Sequence, residues 1–233
     1  MIGTRNKIVF VHIPKTGGSS VAWALRKEFD RPNPLQRMLK SLDGRTINRG
    51  IYQKSRFQPL PDHAKAIDYL ERLGPVYWTM RSVAFVRNPF DLLISLYSYI
   101  QQTEIHHDHQ AVKGISFKEF ILTRCGGELS PYRQTSFLLD EQNRCLVSYV
   151  GRMENLSTNF QSFCAKVDIQ ASLSHQNKSN RSRVVADHYN SEMIDIVVET
   201  FRADFNLLGY STDPNNQSMD PMELLKHPKL KPI

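Results

Sequence analysis

The stretch that decides the fold is HIPKTGGSS, residues 12–20 of the chain. It follows a short apolar strand candidate, residues 7–11, and it opens a helix candidate, residues 21–26. The first N–H groups of a helix have no intrahelical partner, and the helix dipole is positive at that end. Gly17 and Gly18 allow the backbone to approach a ligand closely. The strand, the glycine turn and the helix start together predict a site for a phosphate-like anion.

The side chains of this turn add further donors for an anion. Lys15 brings a mobile positive charge, and Thr16, Ser19 and Ser20 bring hydroxyl groups. The pattern is not a Walker A loop, in which the lysine follows the last glycine, and it is not the G-x-G-x-x-G fingerprint of dinucleotide-binding folds. An ordinary helix cap with a solvated lysine is the alternative that the turn alone leaves open.

A second strand–turn–helix pattern occurs further along the chain. The apolar run of residues 82–86 predicts a buried strand that leads into Arg87. Asn88 is a typical N-cap residue, Pro89 suits the first helical position, and the apolar helix that follows is typical of a buried helix. Ligands of open α/β sheets bind at the carboxyl ends of the strands, so we expect Arg87 and Ser95 to hold a second phosphate. A structural ion pair of Arg87 and a bond from Ser95 to its own helix are the alternatives.

Together, the two patterns resemble the sulfotransferases that use 3′-phosphoadenosine 5′-phosphosulfate (PAPS), and in particular the soluble, mostly bacterial branch of carbohydrate sulfotransferase family 2. The first turn resembles their 5′-phosphosulfate loop, and Arg87 to Ser95 resembles their 3′-phosphate motif. Further segments resemble other elements of that branch, namely DHAKA (62–66), VGRMENL (150–156), HQNKSNR (175–181) and DFNLLGY (204–210). The resemblance covers residues 7–211, with one departure, because many relatives have arginine where this chain has Leu92.

Apolar patterns elsewhere in the chain predict a strand at residues 145–150 and helices at residues 63–73, 117–124, 156–167 and 191–204. Strands that alternate with helices predict an α/β protein with a parallel sheet covered by helices on both faces. The resemblance implies the same architecture, a three-layer α/β/α fold with a central parallel sheet of the P-loop NTPase-like type. A chain of 233 residues is most simply one domain. We expect residues 1–211 to form the sulfotransferase domain, and residues 212–233, which are rich in proline and polar residues, to form a loose tail.

Sulfuryl transfer resembles phosphoryl transfer, so charge builds on the oxygen that leaves with the product 3′,5′-ADP (PAP). Lys15 is the cation that we expect to stabilise this charge. The backbone and hydroxyl groups of Thr16, Gly17, Gly18, Ser19 and Ser20 are expected to bind the 5′-phosphate. The resemblance places Lys178 and Arg181 near the cofactor as further phosphate contacts. The sequence has no evident Walker B partner or carboxylate cluster, and the transferred group carries less charge than a phosphoryl group, so we expect no metal.

An acceptor hydroxyl must lose its proton to a general base. His63 is the predicted base, with Asp62 available to orient its ring, because related glycan sulfotransferases have their base histidine in a comparable segment. His175 is the rival candidate, and His12 is expected to pack against the phosphate loop or orient it. The histidine-rich stretch 106–109 is either a solvated loop or a metal site.

Composition excludes several classes of protein. The formal net charge of +7, from 30 basic and 23 acidic residues, suits a polyanionic cofactor and an acidic acceptor. The chain has no arginine-rich helix, RNA-binding aromatic pattern or zinc-finger spacing, so we do not expect nucleic-acid binding. The three cysteines show no paired spacing and predict reduced thiols. The early first strand leaves no room for a signal peptide, and no apolar run of about 18 residues occurs, so we expect no membrane span and a cytoplasmic protein.

We therefore expect a metal-independent sulfotransferase that moves the sulfuryl group of PAPS to an acceptor hydroxyl, in particular that of a glycan. A nucleotide-dependent kinase on a related fold is the first alternative, and the absence of a Walker A order counts against it. A non-catalytic nucleotide-binding module is the second, and the presence of Lys15, His63, Arg87 and Ser95 counts against it. The sequence leaves the identity of the acceptor and the oligomeric state open.

Overall fold

The structure, a computed structural model, describes residues 1–3, 6–28, 60–125, 127, 129, 132–173, 184–216 and 218–231. Its described residues form a four-stranded sheet in the order β1-β2-β3-β4. The strands are β1 (Ile2–Gly3), β2 (Ile8–Val11), β3 (Arg81–Val86) and β4 (Tyr149–Arg152). β2, β3 and β4 run parallel to their neighbours, and only the short β1 is antiparallel.

Helices connect the strands and cover the sheet. In chain order they are α1 (Gly18–Ala24), α2 (Ala66–Leu73), α3 (Pro89–Gln102), α4 (His109–Val112), α5 (Phe117–Arg124), α6 (Thr135–Leu138), α7 (Leu156–Val167), α8 (Ser191–Thr200) and α9 (Arg202–Leu208). Single 3-10 turns occupy Gly74–Thr79, Met153–Asn155 and Val185–His188. Among the described helices, none combines the length and the apolar character needed to cross a membrane.

The side chains of β2 and β3 divide the interior into two hydrophobic cores, because successive strand residues point to opposite faces of a sheet. Val9 and Ala84 lie in the larger core, which is completed by α2, α3, α5, α6, α8 and α9. Phe10 and Phe85 lie in the smaller core, which is completed by α1 and α7. The sheet is therefore the middle layer of a three-layer α/β/α structure, and the predicted fold class is confirmed.

The parallel register brings three connections to one edge of the sheet. Val11 of β2 lies opposite Ala84 of β3, and Val86 of β3 lies opposite Arg152 of β4. The chain that follows each strand therefore starts from the same edge. There the phosphate loop, which we define as residues 12–20, meets the turn after β3 and the start of α7.

The segment after α9 is not the loose tail that its composition predicts. The described residues 218–231 lie along the domain, where the Cys145 N–H donates to the Leu225 carbonyl at 2.7 Å. This contact also explains an error in the predicted strand 145–150. Because the backbone of Cys145 pairs with the tail, pairing with β3 begins only at Tyr149.

Several helix boundaries differ from the sequence-based expectation. α5 and α7 have the predicted ends. The helix predicted for 191–204 is two helices, because Phe201, which is fully buried, leaves the helical conformation at φ −108° and ψ 22°. α2 begins at Ala66 instead of His63, so His63 lies in the turn that precedes this helix.

Candidate active site

The phosphate loop is shaped by its backbone more than by its side chains. Lys15 and Gly17 have φ angles of 63° and 80°, in the region that glycine adopts without steric cost. Thr16 is buried, and its hydroxyl donates to the Ile13 carbonyl at 3.0 Å. Within the described part of the chain, the N–H groups of residues 16–19 donate to no acceptor. Neighbouring backbone donors without acceptors form a site that fits an anion.

The two glycines of the loop are also required for packing. A Cβ atom at Gly18 would lie 1.9 Å from the ring of His12. A Cβ atom at Gly17 would lie 2.9 Å from a methyl group of Leu156. The two glycines therefore pack directly against the His12 ring and against Leu156 at the start of α7. Leu156 is the last residue of the VGRMENL segment.

Lys15 lies next to α3. Its ammonium is 3.9 Å from the centroid of the Tyr99 ring, which is a favourable cation–π distance. Tyr99 lies one helical turn after Ser95, so both side chains belong to the same face of α3. Tyr99 was not predicted from the sequence as part of the site, although the sequence shows an aromatic residue four positions after a candidate phosphate ligand.

His63 lies beside the phosphate loop. Its Nδ1 is 3.0 Å from the carbonyl oxygen of His12. A carbonyl oxygen only accepts, so Nδ1 carries the hydrogen and Nε2 of the neutral ring keeps its lone pair. This is the tautomer that a general base requires, on a side chain that is exposed. The carbonyl of His12, and not the expected Asp62, orients the ring.

The ring of His12 packs 4.6 Å from that of His63. Burial lowers the pKa of His12 to about 4, with smaller contributions from His63 and the amino group of Met1, and Asp62 opposes the shift. His12 is therefore uncharged near neutral pH. A neutral ring in this position does not repel a proton on His63.

Arg87 connects the second turn to the phosphate loop. Its Nη1 donates to the Lys15 carbonyl at 3.1 Å, and its Nε donates to Asp91 Oδ2 at 2.7 Å. Nη2 contacts the same carboxylate oxygen, and the residue is only 7% exposed. The guanidinium thus forms the structural ion pair that the sequence left as an alternative.

The two serines of α3 differ in their hydrogen bonds. The Ser98 hydroxyl donates to the Ile94 carbonyl at 2.9 Å. Among the described residues, the Ser95 hydroxyl has no hydrogen-bond partner. Bonding back to the helix therefore applies to Ser98 and leaves Ser95 available to a ligand. Leu92, at the position where many relatives have arginine, packs in the larger core.

Three polar side chains that were not predicted from the sequence stabilise the second turn. The Gln134 amide binds the backbone of Arg87, and the buried carboxylate of Asp204 accepts from Gln134. Glu154 accepts from the Asn88 N–H at 2.6 Å. Glu154 and Asp204 belong to the quoted VGRMENL and DFNLLGY segments, which is the pattern that identifies them in the sequence.

The histidine-rich stretch 106–109 is held by its own contacts. Ligand atoms of His106, His107 and Asp108 lie within 4.8 Å of one another. However, the Asp108 N–H donates to His106 Nδ1 at 3.1 Å, and Arg124 Nη1 lies 3.5 Å from Asp108 Oδ1. These contacts occupy one candidate ligand atom and balance the charge of another, which favours the loop interpretation over a metal site.

Three predicted site residues, His175, Lys178 and Arg181, lie outside the described residues. Their assignments as rival base and phosphate ligands stay predictions. The other predicted residues lie within the described ranges, and the phosphate loop contacts both His63 and Arg87.

Comparison with known protein families gives a match over residues 1–211 to the model of the sulfotransferase family. The chain belongs to this family. The matched region of this sulfotransferase contains the phosphate loop, His63 and the turn after β3. The resemblance drawn from the sequence motifs is therefore confirmed at the level of the family.

Among solved structures, this sulfotransferase is similar to mouse sulfotransferase SULT7A1 complexed with PAP. The two are 12% identical, with a TM-score of 0.39, and the likeness covers 99% of this chain and 75% of the mouse chain. The family assignment rests on the family match alone, because a likeness at this TM-score supports no conclusion. Comparison with curated protein sequences gives no match.

Proposed function

We propose that the protein is a PAPS-dependent sulfotransferase that transfers a sulfuryl group to a hydroxyl of a carbohydrate acceptor. The observation that carries the proposal is the hydrogen bond between His63 Nδ1 and the His12 carbonyl, because it joins a candidate base to the phosphate loop. Membership of the sulfotransferase family supplies the reaction type. The resemblance to carbohydrate sulfotransferases supports the choice of donor and acceptor.

The donor set of the loop fits the 5′ end of such a nucleotide. The N–H groups of residues 16–19, which have no acceptor among the described residues, and the charge of Lys15 favour a phosphate group. We assign the 5′-phosphate to Thr16, Gly17, Gly18, Ser19 and Ser20, and the 3′-phosphate to Arg87 and Ser95 with Lys178 and Arg181 as further contacts. PAPS, as the donor, supplies the sulfuryl group and leaves as PAP.

The transfer needs one proton acceptor and one cation. His63 Nε2 takes the proton of the acceptor hydroxyl, and the bond from Nδ1–H to the His12 carbonyl holds the ring in the required tautomer. Lys15 neutralises the charge that develops on the oxygen leaving with PAP, so it stabilises the transition state more than the ground state. Since a sulfuryl group carries less charge than a phosphoryl group, we propose that the transfer does not depend on a metal.

Isothermal titration calorimetry without metal tests the donor. We expect 3′,5′-ADP to bind more tightly than ADP and ATP, because only 3′,5′-ADP has the 3′-phosphate. Tighter binding of ATP that requires magnesium would replace the proposal with a kinase. Binding of 3′,5′-ADP without transfer to any glycan, phenol or peptide hydroxyl would indicate a non-catalytic nucleotide-binding module.

The role of Lys15 is tested by Lys15→Met with radiolabelled PAPS and a panel of glycans. We expect kcat to fall by about 10²–10³-fold, the usual cost of removing one preorganised charge-stabilising group. Lys65→Met is the matched control, because Lys65 is an exposed lysine close in sequence to His63. Equal rates for the two variants would remove Lys15 from the mechanism.

A further inference from the structure

Two fully buried polar side chains lie behind the turn after β3 and take no part in the transfer proposed above. Gln134 and Asp204 are both 0% exposed. Burying an amide or a carboxylate costs free energy unless its hydrogen bonds are satisfied. Their partners therefore indicate what these side chains are for.

The side-chain amide of Gln134 binds both backbone polar groups of Arg87. Its Oε1 accepts from the Arg87 N–H at 2.7 Å, and its Nε2 donates to the Arg87 carbonyl at 2.7 Å. Because β3 ends at Val86, Arg87 is the first residue beyond the sheet. The amide thus replaces the neighbouring strand that Arg87 no longer has.

Asp204 holds Gln134 in this position from α9. Its Oδ2 accepts from the Gln134 N–H at 2.7 Å, and its Oδ1 accepts from the N–H and the hydroxyl of Thr135 at 2.9 and 2.7 Å. Burial raises the pKa of Asp204, and the hydrogen bonds from Thr135 and Gln134 act against this rise. The carboxylate fixes the first turn of α6, from which the Gln134 side chain extends.

The other end of the chain of contacts reaches the phosphate loop. With its peptide held by Gln134, Arg87 donates through Nη1 to the Lys15 carbonyl at 3.1 Å. A buried series of hydrogen bonds thus runs from Asp204 through Gln134 and Arg87 to the loop. Arg87 has a defined backbone position because of Gln134, and a defined side-chain direction because of Asp91.

We propose that Gln134 is a positioning residue for the 3′-phosphate site and acts through Arg87. The inference rests on the proposed function, in which Arg87 binds the 3′-phosphate. Gln134 itself does not touch the nucleotide. Its amide fixes the backbone position from which the Arg87 side chain extends. A guanidinium that is displaced loses much of its interaction with a phosphate held in a fixed position.

The test is the ratio of the dissociation constants of AMP and 3′,5′-ADP, which differ only in the 3′-phosphate. In Gln134→Leu, which keeps the volume and removes the amide, we expect this ratio to fall about tenfold, or about 1.4 kcal/mol. The affinity for AMP is expected to change little, because the 5′-phosphate is bound by the loop backbone. A purely structural role predicts a lower melting temperature with an unchanged ratio, and that result overturns the inference.

Thr135→Val is the matched control within the same network. It removes one hydrogen bond to Asp204 and leaves the Gln134 amide on Arg87, so stability is expected to fall while the ratio stays at the wild-type value. An equal fall of the ratio in Thr135→Val overturns the specific role of the amide. Where Gln134→Leu does not fold, Gln134→Asn withdraws the same amide by one methylene, and an unchanged ratio there overturns the inference.

The wild-type protein separates this inference from the proposed function. A wild type that binds AMP and 3′,5′-ADP equally refutes the assignment of the 3′-phosphate and the inference with it. A wild type that prefers 3′,5′-ADP, with Gln134 variants that keep this preference, refutes only the role of Gln134.

Discussion

The two turns at the carboxyl edge of the sheet are built in opposite ways. The phosphate loop after β2 has positive φ angles, two glycines and a seven-residue helix without a side-chain cap. The turn after β3 has an Asn88 cap that accepts from the Phe90 N–H at 2.9 Å, a proline at the first helical position and a 14-residue helix. One turn presents its backbone, and the other is covered by side-chain partners.

This difference indicates that the first turn binds a ligand through its backbone and that the second turn has a supporting role. The N–H groups of residues 16–19 have no acceptor within the described residues, whereas Gln134 and Glu154 satisfy the backbone of Arg87 and Asn88. Unpaired donors are costly unless a ligand or water binds them. We infer that the first turn holds the reacting end of the nucleotide, and that the second turn supports it and contributes Arg87 and Ser95.

The largest expected effect concerns the histidine that joins the first turn. His63→Asn keeps an N–H donor near the position of Nδ1 and removes the proton acceptor. We expect kcat for sulfuryl transfer to fall by about 10²–10⁴-fold, the range for loss of a general base, with the affinity for 3′,5′-ADP unchanged. Steady-state kinetics and calorimetry measure the two quantities.

His107→Asn is the control for this substitution, because His107 is a histidine whose side chain is 78% exposed. It is expected to leave kcat unchanged. A His63→Asn protein with wild-type kcat would exclude His63 as the base and favour His175.

The next largest effect is a pH dependence of the free energy of unfolding that arises from His12. The pKa of His12 is about 4 in the folded protein, below its ordinary value of 6.5. Between these values the unfolded chain binds a proton that the folded protein does not, so stability falls as the pH falls. From pH 7 to pH 4.5 we expect His12 to account for a loss of about 2–3 kcal/mol in the free energy of unfolding.

Urea unfolding of the wild type and His12→Asn at both pH values measures this contribution. The variant is expected to be less stable at pH 7 but to lose less stability on acidification. Parallel losses in the two proteins would contradict a neutral, half-buried His12.

A smaller effect is expected from adding one methyl group to the loop. Gly18→Ala places a Cβ atom against the His12 ring, which is held between the rings of Phe10 and His63 at 5.5 and 4.6 Å. Overpacking of this kind costs up to about 3 kcal/mol, and we expect weaker binding of 3′,5′-ADP as well. Thermal unfolding and calorimetry provide both values.

Gly74→Ala is the reference for Gly18→Ala. Gly74 has a φ of 55°, and a Cβ atom there meets nothing within 4 Å. Because its ψ is −138°, this backbone conformation lies outside the left-handed helical region, and the expected cost is about 1–3 kcal/mol from backbone strain alone, without a change in nucleotide affinity. A Gly18→Ala protein that behaves like Gly74→Ala would show that the contact with His12 is unimportant.

The smallest effect compares the two serines of the second turn. Ser95→Ala is expected to weaken binding of 3′,5′-ADP about tenfold, which is the lower limit for the loss of a hydrogen bond to a charged group, since such bonds contribute about 1.5–3 kcal/mol. Ser98→Ala is expected to leave the affinity unchanged, because this hydroxyl already donates to Ile94. Equal affinities for the two variants, measured by calorimetry, would remove Ser95 from the 3′-phosphate site.

Local patterns in the sequence predicted much of the fold. The apolar runs of β2 and β3 identify buried parallel strands, since both faces of such strands are covered. The ends of α5 and α7 were predicted correctly. The break at Phe201 and the path of the tail were not predicted, because they depend on what is buried by distant parts of the chain.

The candidate site was predicted to a similar extent. The sequence identified Lys15, His63, Arg87 and Ser95 by residue type and spacing. It left a structural ion pair of Arg87 as an alternative but did not identify Asp91, four residues later in the sequence, as the partner. Nor did it predict the role of Gln134, because no local pattern relates residue 134 to residue 87.

The sequence by itself determined the order of strand, glycine turn and helix, because glycine conformation, capping and apolar periodicity act over a few neighbouring residues. It also determined the family, because the motifs are recognisable in order along the chain. Only the tertiary structure decided that the His12 carbonyl orients His63 and that Asp204 and Gln134 hold Arg87. These contacts join residues 47 to 70 positions apart, and their partners are chosen by which polar groups are buried together and must satisfy one another.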